Sequence, residues 1–129
     1  MASQEYINHL TKVFFTLKLV NKLYHWNTTS YPRHIASDRF DGVLEGIVDK
    51  FMEVFIGRYQ IKPSIHKISI EDSLLTDQGI VSAYKQAREF LSQMQTNIPD
   101  TDLLNIRDEL VGEINKNLYL DRKSTRLNS

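Results

Sequence analysis

Cysteine is absent from this 129-residue chain. That excludes a disulfide framework and any thiolate-held metal centre, and it fits a reducing, cytoplasmic setting. Long apolar runs are absent too. No segment approaches the roughly 20 residues that a membrane-spanning helix requires. The opening "MASQEYINHL" has neither the basic start nor the apolar stretch of a secretory leader. Charge of one sign is also missing, since 16 basic residues meet 16 acidic ones. There are no internal repeats or low-complexity tracts, no glycine-rich phosphate loop and no serine–histidine nucleophile motif. The rest is ordinary globular composition, 41% apolar and 25% charged, in one domain long enough to bury a core.

The end of the chain stands apart. Residues 121–129, "DRKSTRLNS", read as the codon-by-codon translation of a common sequencing-library adapter. On that reading the native domain is 1–120 and its last helix is cut near Leu120. The tail holds three basic residues and one acidic residue, so residues 1–120 carry 13 and 15, a net of −2. A basic-tail argument for nucleic-acid binding lapses with it.

Apolar spacing predicts four helices in an all-α, antiparallel bundle with a long connection between helices two and three. The first runs from a cap at Ser3 to about Trp26, with Leu10, Val13, Leu17, Val20 and Tyr24 as its buried stripe. Phe15, Leu19 and Trp26 form a second apolar side, which asks for a second partner such as another subunit. "NTTSYP" breaks the helix, with Tyr31 expected to be extended before Pro32. Helix two is expected from Pro32 to Phe55 or Ile56, stopped by Gly57, with Phe40, Leu44, Ile47, Phe51, Val54 and Phe55 inward. A long connection over 58–75 carries a short helix near "DSLL". Helix three, about 77–96, aligns Ile80, Tyr84, Ala87, Leu91 and Met94; helix four follows a cap at Asp100 or Thr101 with Leu104, Val111, Ile114 and Leu118.

Helix two also carries Asp38, Asp41, Glu45, Asp49 and Glu53 on the side away from its aromatic stripe. A solvated face would explain the acids alone. It explains less well why Gly42, Met52 and Ile56 share that side, or why the helix has few basic residues to pair with them. His34 precedes Asp38 by four residues, and Asp49 precedes Glu53 by four, so each pair stacks on one face. Imidazole and carboxylate suit a hard-to-borderline divalent ion. Asp38 and Asp49 are nevertheless roughly 16 Å apart along the helix at 1.5 Å per residue. One chain cannot bring both pairs to one ion, but two antiparallel copies about a two-fold axis would form two equivalent sites. His25, at the end of helix one, can reach His34 across the turn.

These residues, "HWN" at 25–27, His34-x3-Asp38 and Asp49-x3-Glu53, resemble the Dps-like ferritins, and more loosely short ferritin-like proteins of large DNA viruses. The motif covers about residues 6–57; beyond it only the helix order agrees. The turn is three residues shorter than in the usual bacterial members. A gapless match from His25 would wrongly put Ser37, Met52 and Ile56 at ligand positions. The resemblance implies a ferritin-like bundle whose dimer, within a dodecameric shell, binds iron at an inter-subunit site of His25, His34, Asp38, Asp49 and Glu53. It implies oxidation of Fe2+ to Fe3+ by peroxide or dioxygen, non-haem iron storage and protection from oxidative stress. Asp38 and Glu53 would bind directly or bridge, and Asp49 would act through water or orient a histidine. Trp26 would intercept radicals or anchor the interface, while Asp41 and Glu45 are either solvated or support the ligands. Zinc and manganese remain open by donor type.

Other sites have less support. No glutamate has a histidine three residues on, as an intrachain di-iron site needs. His9 and His66 are read as surface or locally bonded residues. The segment before helix one is short and lysine-free, so nucleic-acid binding is not expected. The competing reading is a ferritin-like bundle acting only as a structural or dimerisation module.

Overall fold

The computed structural model describes residues 2–128, with side chains through Lys123 in the last helix. Among the described residues there are four α-helices: α1 (Gln4–Asn27), α2 (Tyr31–Tyr59), α3 (Asp77–Ser92) and α4 (Thr101–Asn128). Tight 3-10 turns occupy Asp72–Leu75 and Met94–Thr96, and no strand is present among those residues.

Hydroxyl side chains start three of the helices. Ser3 accepts from the Tyr6 N–H at 3.1 Å, Ser30 from Arg33 at 3.4 Å and Thr76 from Gly79 at 2.9 Å. Each satisfies a donor that a helix start leaves unpaired. Because Ser30 takes the cap position, Tyr31 enters the first turn of α2 beside Pro32 instead of standing extended before it. Gly57 does not stop α2. The helix continues to Tyr59, and Gln60 caps it in the left-handed region at φ 57°. Side-chain contacts explain the extra length. The Tyr59 ring stacks on Phe55 at 4.9 Å, its hydroxyl donates to Asp100, and Arg58 Nε lies 2.8 Å from the same carboxylate. Helix three ends at Ser92, earlier than expected, because the chain tightens into the turn at Met94–Thr96.

Named contacts give the packing directions. Along α1 and α2, Lys18 pairs with Glu45 and Lys22 with Asp41, so rising numbers on one helix meet falling numbers on the other. Tyr6 packs on Phe90 while Tyr24 bonds Asp77, which makes α1 and α3 antiparallel. Tyr59 with Asp100 and Arg33 with Asp121 do the same for α2 and α4. Arg88 with Asn115, and Arg107 with the Leu91 carbonyl, do so for α3 and α4. Between α2 and α3 the chain leaves the end where Ser64 bonds Asn8 and arrives at the end where Asp77 meets Tyr24.

The shared core holds Phe14, Phe40, Leu44, Phe51, Phe55, Tyr84 and Leu91, all essentially out of water. On α1, Val13 of the expected stripe is only partly buried, while Ile7 and Phe14 are fully buried. Of the expected face of α4, Ile114 is fully buried, but Leu104, Val111 and Leu118 only flank the core, and Leu103, Ile106 and Leu110 take the inward positions. Two apolar stripes lie side by side on that helix, and packing against both α2 and α3 selects the latter.

The Asp100 clasp carries a pH prediction. The hydrogen bond from Tyr59, aided by Arg58, holds the Asp100 carboxyl below its ordinary value of 3.8. A depressed carboxylate contributes stability that is present above the unfolded value and lost as pH falls through the folded one. Acid melts should therefore show wild-type Tm falling more steeply below about pH 4 than that of Asp100→Asn, with the two curves converging at the acid end.

Candidate metal site at the α1–α2 turn

The short "TTS" turn leaves the end of α1 and the start of α2 side by side, and this proximity builds the histidine cluster. The His25 and His34 rings stack at 4.0 Å between centroids, 19° from parallel. Each ring bonds the other's backbone. His25 Nδ1 lies 3.0 Å from the His34 carbonyl oxygen, and His34 Nδ1 lies 2.9 Å from the His25 carbonyl oxygen. A carbonyl oxygen only accepts, so both Nδ1 atoms carry the proton, and in each neutral ring the lone pair sits on Nε2. The His25 carbonyl belongs to the last turn of α1, where helical partners run out, so His34 also caps that helix.

Ser37 completes the cradle. Its hydroxyl lies 3.3 Å from His25 Nδ1 and donates to the Arg33 carbonyl at 2.9 Å. Asn21, fully buried, donates to the Ser37 carbonyl at 2.9 Å and accepts from the Tyr84 hydroxyl. Burial holds the Tyr84 hydroxyl well above its ordinary range, so it stays a donor. The same end of the bundle is tied down by Arg33, which pairs with Asp77 and lies 3.2 Å from Asp121. Tyr24 donates to Asp77 at 2.6 Å, and its hydroxyl is pushed up to about 12, by burial first and by that bond second.

The predicted residues divide into two groups. His25, His34 and Asp38 come together: His25 is 8% exposed, and its Nε2 lies 3.7 Å from Asp38 Oδ1. Asp49 and Glu53 are exposed neighbours one turn apart, further along α2 and away from the histidines. No group of three or more His, Asp or Glu side chains converges as an ion-holding cluster among the described residues. Asp41 and Glu45 are already neutralised across the α1–α2 seam, at 3.2 Å from Lys22 and 2.7 Å from Lys18. The basic partners of these acids lie not on α2 but on α1, as two lysines spaced four apart. Trp26 is exposed, with the Lys22 ammonium 5.7 Å from its ring centroid. His9 stacks on Phe90 at 4.6 Å on another face. Ser37 and Asn21 escaped the sequence reading, since nothing in their spacing marks them as supports for a histidine.

Fold and cluster together define a helical-bundle protein bearing a histidine–carboxylate site at one end of its first two helices. The model of a family of unknown function, DUF5856, matches residues 25–120, and the chain belongs to that family. No curated protein and no solved structure matches the chain. No helix of the described residues is long and apolar enough to cross a membrane.

Proposed function

We infer that this protein is a Dps-like, ferritin-like iron-binding protein that oxidises ferrous iron between two copies of the chain and stores or detoxifies the product. The observation that carries the reading is the reciprocally strapped histidine pair, with Asp38 beside it and Asp49 and Glu53 exposed on the same helix. Buried Nδ1–H bonds to fixed acceptors orient metal-binding imidazoles and leave Nε2 for the ion. Each chain then offers two half-sites too far apart to serve one ion, and an antiparallel partner supplies the missing half. Ferrous iron is the substrate, held by nitrogen and oxygen donors that also accommodate the ferric product. Partial ligation by protein leaves positions for water and the oxidant. All-antiparallel neighbours, with a connection that crosses between the ends of the bundle, support the ferritin-like assignment, and the resemblance extends it to a shell built from dimers. A reducing, cytoplasmic setting fits the missing cysteine.

The structural-module reading draws on Asp41 and Glu45, whose ion pairs account for two of the five acids without any metal. A ferrous-iron titration followed by ferric absorbance, with dioxygen and with peroxide, separates the two. Oxidation above the buffer rate is expected, falling at least tenfold in His34→Ala/Asp38→Ala. A wild-type rate equal to buffer, or a variant as fast as wild type, sinks the proposal. Parallel titrations with zinc and manganese report selectivity.

A further inference from the structure

The outer face of α2 is apolar at both ends. Near its start Tyr31 and Ile35 are large apolar side chains left 73% and 48% exposed, with the Tyr31 ring stacked on His34 at 6.4 Å. Near its far end a groove of about 220 Å³ opens between α1, α2 and the connection, walled by Phe15, Val48, Met52, Ile56 and Pro63. A patch of projecting apolar side chains and an apolar groove on the same helix face are the two halves of a self-complementary contact.

The register joins them. Setting His34 against Glu53 and Asp38 against Asp49 of an antiparallel copy also sets Ile35 against Met52 and Tyr31 against Ile56. We propose that Tyr31 and Ile35 of one copy plug the groove at Met52 and Ile56 of a second copy, forming the apolar contact that holds the dimer's metal half-sites in register. The proposal rests on the inter-subunit reading above. The acids nearest the axis support it. Glu45 falls opposite Gly42 and Asp41 opposite Gly46, so neither meets a like charge. A Cβ at either glycine would meet nothing within 4 Å, so the partner helix can approach closely there. Asp38 opposite Asp49 repels without a cation, which leaves the association of metal-free chains to the apolar plugs.

Sedimentation of the metal-free 129-residue chain over a range of concentrations tests this with charges placed at one contact. Ile35→Glu and Met52→Lys should each raise the dissociation constant at least tenfold. The double variant Ile35→Glu/Met52→Lys, which pairs the new charges across both copies of the contact, should recover most of that loss. Far-ultraviolet circular dichroism and a thermal melt confirm that each variant remains folded. A wild type that stays monomeric, single variants that associate like wild type, or a double variant no better than the singles overturns the contact. If wild type oxidises iron but the charge swap fails, the contact falls and the iron reading stands. If the swap succeeds but no iron is oxidised, the contact stands and the iron reading falls.

Discussion

Replacing Phe51 by alanine is expected to destabilise the protein by about 3–5 kcal/mol, the cost of emptying a phenylalanine-sized site in a close-packed core. Phe51 is 1% exposed and meets Phe14 edge-on, with ring centroids 5.5 Å apart and planes at 72°. Loss of the ring removes buried apolar area, the edge-to-face contact and the filling of the space between α1 and α2. Backbone on rigid helices closes only part of such a hole. For a chain of this length the change moves Tm by roughly 10–20 °C. Tyr119→Ala, at a position of α4 left 54% exposed, should stay within about 1 kcal/mol. Urea melts of the two variants, compared at equal m-value, check the contrast; equal losses would show that Phe51 is not a keystone of this core.

Phe51 was legible in the sequence, and the reason shows what else was. On α2 buried residues run from Phe40 through Leu44, Ile47 and Phe51 to Phe55, and on α3 from Ile80 through Tyr84 and Ala87 to Leu91, so the inward face follows from periodicity, although Val54 of the expected α2 face is only partly buried and Met52 and Ile56 lie on the other side. On α4 two stripes run side by side, and only packing against α2 and α3 decides that Leu103 and Leu110 go in while Leu104 and Val111 flank. The Gly57 stop failed because glycine is only disfavoured inside a helix, by about 1 kcal/mol. Contacts of Arg58 and Tyr59 with Asp100, more than forty residues away in sequence, outweigh it. Local sequence cannot report such a partner.

The site divides along the same line. His25, His34 and Asp38 were legible because a three-residue turn forces the ends of α1 and α2 together. The reciprocal bonding of the two histidines was not, because its acceptors are backbone carbonyls, which every residue has. Lys18 and Lys22 were missed for a related reason: ion pairs across a helix seam depend on register, and register is a tertiary fact. Asp49 and Glu53 match by spacing, and within one chain they remain a turn of exposed acids.

The support beneath His25 is where a second large effect is expected. Asn21→Leu keeps the branched shape while removing the carboxamide that serves two buried partners. The Tyr84 hydroxyl and the Ser37 carbonyl each lose a bond inside the core, where an unpaired polar group costs about 1–3 kcal/mol. The Ser37 carbonyl lies within α2 and keeps its helical partner, and Asn117 beside the Tyr84 hydroxyl offers that group a substitute. The net loss should therefore be about 2–4 kcal/mol, not the full cost of two orphaned groups. Tyr84→Phe in the Asn21→Leu background removes the stranded hydroxyl, so the double variant should be more stable than Asn21→Leu alone, a coupling that a double-mutant cycle reads directly. Because Ser37 stands between Asn21 and His25, the ring N–H of His25 should exchange faster with water in Asn21→Leu, as followed by nitrogen-resolved NMR. Additive stability losses together with an unchanged His25 signal would show that the buried network and the histidine cradle are independent. A coupled pair with a faster His25 proton would show that the bundle core sets the orientation of the His25 imidazole.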